Sequence, residues 1–155
     1  MKKLTTILLS SVLMFGAVAC GNAKTSETAP DSTKEAPEAP KTEDVQKTKE
    51  DGQNETRRKQ LNADIKAREE RNNVTGGDAN KAEGDLESQV RSKLEANIPE
   101  GTLTVKADDG VVTVAGTVPK QDQLAKIETL AKQIKGVKTV NVKATVAAPK
   151  SDKKS

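Results

Sequence analysis

The chain of 155 residues has no histidine, tryptophan or tyrosine, and its one phenylalanine and one cysteine, Phe15 and Cys20, both sit near the N-terminus. Each absence removes a class of chemistry. Without histidine there is no ordinary general base poised near neutral pH and no imidazole ligand for zinc. A single cysteine closes no disulfide within its own chain. Without aromatics beyond Phe15 there is no stacking platform for single-stranded nucleic acid or for sugar rings. An excess of one charge is lacking too. Lys and Arg number 26 against 23 Asp and Glu, and Lys2 and Lys3 account for most of the net +3, far from the concentrated basic footprint of a nucleic-acid binder. The acid pairs Glu69-Glu70 and Asp108-Asp109 read as solvated, the first on different helix faces and the second in a turn. The sequence therefore predicts no catalytic residue, no metal site, no cofactor and no nucleic-acid partner.

What is present begins with Lys2 and Lys3, followed by an apolar run from Leu4 to Ala19 broken only by small polar residues. A short basic start, an apolar stretch and a small-residue exit mark a secretory signal peptide over 1–19. The run is short of the roughly 20 apolar residues of a membrane-spanning helix. Ala17-Val18-Ala19-Cys20 also resembles the lipobox of bacterial lipoproteins, with Ala17 where that family usually carries Leu. The resemblance implies that Cys20 takes a diacylglycerol as a thioether and that its freed amino group is acylated, for example by palmitate. The alternative is an unmodified cysteine after ordinary cleavage, although an exposed thiol in an oxidising compartment is a liability. By the enterobacterial pattern, Gly21 rather than Asp after the cysteine implies the outer membrane rather than the inner, facing the periplasm.

Residues 20–52 form the lipidated N-terminus and a tether of Ala, Pro, Glu, Lys, Thr and Ser, with Val45 its one large apolar residue. Such a segment buries too little surface to offset its ordering entropy and is expected to be disordered. Its reach as a flexible chain is on the order of 30 Å. Residues 53–83 are rich in charge and in helix formers. Leu61 and Ile65 share a face, but Arg68 and Asn72 take the next positions on it. A solvated, partly helical spacer is the plain expectation, and a short partner-binding helix the sharper one.

The folded unit is placed at 84–147. Asp85 is positioned to cap a helix carrying Leu86, Val90 and Leu94, which stops at Ile98-Pro99. "TLTVKADDGVVTVAGTV" reads as a hairpin around Asp109-Gly110, a type I′ signal. In that register Ala107 faces Val112, Val105 faces Val114 and Leu103 faces Gly116, so one face is apolar, and Thr104, Lys106, Thr113 and Thr117 point the other way. Pro119 suits the first turn of a second helix with Leu124, Ile127, Leu130, Ala131 and Ile134 on one stripe, ended by Gly136. Val140, Val142, Ala144 and Val146 then alternate along a third strand, leaving no large apolar patch over. The expected fold class is α+β: one small α-β-β-α-β domain, its two helices on one face of a three-stranded sheet, preceded by a disordered linker. Residues 148–155 are a basic tail.

Asp85 to Val146 resembles a BON domain, the module of osmotically inducible periplasmic proteins of bacteria. The leading helix, "DGVVTVAGTV" with Pro119 and a helix after it, and "IKGVKTVNV" carry the likeness, although the family usually has Leu near Val114. The resemblance implies attachment to phospholipid membranes, a part in envelope integrity under osmotic stress, and no catalytic residues. Lys132, Lys135 and Lys138 are the candidate head-group contacts, each adding about 1 kcal/mol beside an anionic surface. The same lysines would also complement a helix C-terminus. The alternative function is a periplasmic protein–protein interaction module that docks an envelope partner at a sheet edge.

Overall fold

The structure, a computed structural model, describes residues 22–75 and 79–150. The signal peptide over 1–19, Cys20 and the last five residues of the tail lie outside the described residues.

Local sequence dictates the hairpin at the centre. Strands β2 (Thr102–Asp108) and β3 (Val111–Val118) pair antiparallel with Ala107 opposite Val112, Val105 opposite Val114 and Leu103 opposite Gly116. The turn has φ 48° at Asp109 and 81° at Gly110, the two left-handed residues that a type I′ turn requires. Helices α3 (Ala79–Asn97) and α4 (Gln121–Lys132) cover the apolar face. Their Leu86, Val90, Leu94, Ile127 and Ala131 pack with Leu103, Val105, Val112, Val114 and Val118 in one core, with Ile98 and Ile134 just beyond the helix ends.

The chain leaving α4 returns as β4 (Thr139–Val142) and β5 (Thr145–Val146), both parallel to β3 and in one register, Val114 opposite Val142 and Thr117 opposite Thr145. A helix between them is what lets neighbouring strands run parallel. The expected α-β-β-α-β order is thus present, with both helices on one side of the sheet.

The structure departs from expectation at both ends of this unit. Helix α3 begins upstream of Asp85, so Asp85 is a helix-interior residue and not an N-cap. Its carboxylate instead receives Arg68 Nη1 at 2.8 Å. Arg68 belongs to α2 (Glu55–Thr75), which lies antiparallel along α3. Residues 55–75 are accordingly not a free spacer. Leu61 is 3% exposed, and Ile65 packs against the core. Two apolar anchors are few, and polar contacts supplement them. Arg57 meets Glu95 at 2.7 Å, Arg91 meets the other oxygen of Glu95 at 2.6 Å, and Arg68 bridges Asp64 and Asp85. Burial alone would lower the Arg68 pKa, but its hydrogen bonds to Asp64 and Asp85 outweigh that and hold it above its ordinary value.

Much of 25–40 has no regular secondary structure, in keeping with its composition, but within the segment 20–52, expected to be a disordered tether, it is flanked by two ordered elements that composition does not announce. Strand β1 (Ala23–Lys24) pairs with β2, and α1 (Thr42–Gln53) packs through the buried Val45. The second sheet face is not open throughout either. Thr102, Thr104, Ala115 and Thr117 are buried there, and the Thr104 hydroxyl donates to the Pro30 carbonyl. At the opposite edge, Ala144 is buried but Val142 and Val146 are 38% and 42% exposed. The single alternating strand expected over 140–146 is divided into β4 and β5, and of its apolar residues only Ala144 is buried, because these strands form the sheet's margin.

Lys49 ties α1 to the turn before β2, its Nζ 2.8 Å from Glu100 Oε1. That hydrogen bond, helped by Gln123 and opposed by burial, holds the Glu100 carboxyl below its ordinary value. A carboxyl depressed in the folded state stabilises above its unfolded pKa, about 4.3, and the contribution is lost as pH falls through the folded value. Denaturation at neutral pH and at acid pH should therefore show a smaller gap in stability for Glu100→Gln than for the parent. An unchanged gap would remove Glu100 from the acid response.

Candidate functional site

The hairpin turn and the loop after α4 meet at one end of the sheet. Gly110 allows that approach, since a Cβ there would come within 2.8 Å of the Gly136 carbonyl oxygen and 3.0 Å of the Lys138 side chain. The Lys138 amide donates to the Gly110 carbonyl at 2.8 Å. The aliphatic stem of Lys138 is thereby laid over the turn, and the side chain remains exposed.

The three lysines singled out in the sequence are all exposed but are not equivalent. Lys132, in the last turn of α4, is 2.6 Å from Glu128, one helical turn back. Lys135 donates to Asn73 Oδ1 of α2 at 2.7 Å and makes no ion pair among the described residues. Among the described residues Lys138 has no carboxylate partner either. The cationic part of the site is therefore Lys135 and Lys138, with Lys132 internally compensated.

The acid pair of the turn is solvated, as its sequence context implies. Asp108 and Asp109 are exposed at the turn, the Asp109 amide donates to Glu83 Oε1 at 3.4 Å, and Lys106 is paired with Glu87 at 3.3 Å. The site is thus two uncompensated lysines on one flank and two carboxylates at the tip. Among the described residues no cluster of His, Cys, Asp or Glu could hold a metal ion, and no helix is long and apolar enough to cross a membrane. Cys20 lies outside the described residues.

These features define a small α+β module that offers an exposed, mixed-charge end. Residues 82–148 match the family model of the BON domain, and that segment of the chain is a BON domain. The chain is also similar to osmotically-inducible protein Y of Escherichia coli (strain K12), 40% identical over 55 residues, which cover 34% of this chain and 27% of that protein. The likeness thus spans about a quarter of that relative's length. No solved structure matches.

Proposed function

We propose that this protein is a non-enzymatic lipoprotein of the bacterial envelope, anchored through Cys20 and facing the periplasm, whose BON domain touches phospholipid head groups and supports tolerance of osmotic stress. The exposed pair Lys135 and Lys138 at the hairpin end, without a carboxylate partner among the described residues, carries this reading. The BON match and the likeness to an osmotically inducible protein support the stress-related role. Support for the anchor comes from the signal-like run and the lipobox-like Ala17 to Cys20. Gly21 after the cysteine favours the outer membrane over the inner.

Co-sedimentation of residues 20–155 carrying Cys20→Ser with neutral and anionic vesicles tests the head-group contact. Binding should need anionic lipid and fade in high salt, since the screening length falls from about 10 Å to about 3 Å between 0.1 M and 1 M. Lys135→Gln with Lys138→Gln should weaken it about 30-fold, from about 1 kcal/mol per lysine. Lys132→Gln should matter less, because Glu128 already neutralises that charge. Absence of sedimentation under every condition would sink the head-group reading.

A second reading has its own observation. The β4–β5 margin exposes Val142 and Val146, and among the described strands none pairs on its outer side. An extended segment of an envelope protein could add there by backbone pairing. Such binding would be comparatively insensitive to salt and would be lost with Val142→Lys.

A further inference from the structure

Strand β1 is only two residues long, yet it is held at several points. The Thr25 amide donates to the Leu103 carbonyl at 2.8 Å, and the Leu103 amide donates to Thr25 Oγ1 at 2.8 Å. The same hydroxyl donates to the Gly101 carbonyl at 2.8 Å, and Thr25 is buried. Farther along, Thr104 bonds to Pro30, and Lys24 pairs with Asp31. The segment therefore closes the β2 edge of the sheet with a strand of its own chain.

Its direction is the informative part. Ala23 lies opposite Val105 and Lys24 opposite Thr104, in an antiparallel pair. Followed back toward its N-terminus, β1 thus runs alongside β2 toward Asp108 and the hairpin turn. Asn22 already lines a shallow cleft with Lys106, Asp108 and Asp109. Only Gly21 and Asn22 separate Cys20 from Ala23, so that stretch reaches at most about 10 Å when fully extended. Asn22 and the Lys135–Lys138 flank thus lie at the same end of the sheet.

We propose that β1 is a directional clamp that delivers the anchored N-terminus to the hairpin end and holds that end against the membrane carrying Cys20. The proposal rests on the lipid-anchor reading above and adds an orientation to it. With β1 docked, the domain sits beside its own membrane. With β1 released, the chain from Cys20 to Lys41 is a flexible leash of about 25 Å, and the domain turns freely on it. The clamp presents Lys135 and Lys138 to the head groups at no further orientational cost. It also brings Asp108 and Asp109 near them, so an anionic surface would favour tilting toward the lysine flank.

The missing aromatics supply the test. Residues 20–155 contain no tryptophan, tyrosine or phenylalanine, so one introduced tryptophan is the sole emitter. The chain would be coupled through the Cys20 thiol to a maleimide lipid in phosphatidylcholine vesicles containing dansyl-headgroup lipid. Asp108→Trp reports the hairpin end and Lys120→Trp the opposite end, beyond the far end of β3. The eight residues of β3 separate them by roughly 26 Å at about 3.3 Å per residue. Energy transfer to the dansyl lipid should be at least about twofold higher from position 108, given that separation. Thr25→Pro, which removes the amide and hydroxyl bonds, should bring the two reporters level. Inserting about eight Gly and Ser residues after Gly21 lengthens the leash with β1 still docked, so it should narrow the difference without abolishing it. The insertion leaves every described contact in place and serves if circular dichroism shows Thr25→Pro unfolded. Equal transfer from both reporters in the parent, higher transfer from 120, or an inequality that the insertion does not narrow overturns the clamp. Neutral lipid keeps lysine attraction out of the result, and the maleimide bond makes it independent of cellular acylation. Whether cells acylate Cys20 is read separately, from the mass of the N-terminal peptide of envelope-purified protein.

Discussion

Gly116→Ala is expected to leave most of the BON domain unfolded at room temperature. Gly116 sits inside β3 with φ 122°, a conformation that an L side chain rarely adopts. An added Cβ would lie 2.0 Å from the Thr102 carbonyl oxygen and 3.0 Å from its carbon, both backbone atoms of the paired strand. No rotamer change relieves a clash with backbone. The hairpin must separate there, losing ladder bonds beside the buried Leu103 and the Thr102–Thr117 hydroxyl bond of 2.7 Å. Backbone strain of about 1–3 kcal/mol adds to that loss, in a unit this small whose whole stability is about 3–10 kcal/mol. Circular dichroism on heating is the measurement. A cooperative melt within a few degrees of the parent would refute the geometry assigned to β3.

Leu94→Ala should have the next largest effect. Leu94 is fully buried in the last turn of α3, in the core that joins both helices to the sheet. Removing such a side chain costs about 2–5 kcal/mol, depending on how far the cavity collapses. Leu61→Ala provides the contrast, because Leu61 lies between α2 and α3. It should detach α2 locally, raising amide exchange across 55–75 while β2 and β3 keep their protection. If Leu61→Ala instead lowers the whole melting transition as far as Leu94→Ala does, α2 belongs to the same cooperative unit as the sheet.

The three elements α3, β2 and β3 and the helix after Pro119 were legible because their information is local. Asp109-Gly110 specifies a turn, alternation specifies a face, and a one-residue slip would have turned Val105 and Val114 outward. Residues 55–75 were hard to read for the opposite reason. Leu61 and Ile65 are too few to reveal a buried face, and the arginines that complete the contact, Arg57 and Arg68, look from sequence like a solvated surface. Their partners Glu95 and Asp85 lie on another helix, and no local pattern joins them. Asp85 was misplaced as a cap for the same reason: a carboxylate before an apolar run satisfies a helix N-terminus, and only the presence of α2 shows it bonded to Arg68.

The candidate site divides in the same way. Lys132, Lys135 and Lys138 could be named from sequence as cations near a helix end, but only their three-dimensional neighbours separate Lys132, paired with Glu128, from the two without a carboxylate partner. By itself, the sequence determined the absence of aromatic and imidazole chemistry, the hairpin register and the family of the 82–148 segment, because composition and short-range periodicity carry these. Tertiary structure alone decided that Ala23 to Thr25 close the β2 edge, that Val142 and Val146 stay partly exposed, and that β1, followed back to Asn22, points toward the hairpin end. Each depends on contacts between residues far apart in the chain, such as the Thr25 hydrogen bonds to Gly101 and Leu103, and no local preference encodes which distant edge a short polar segment will meet.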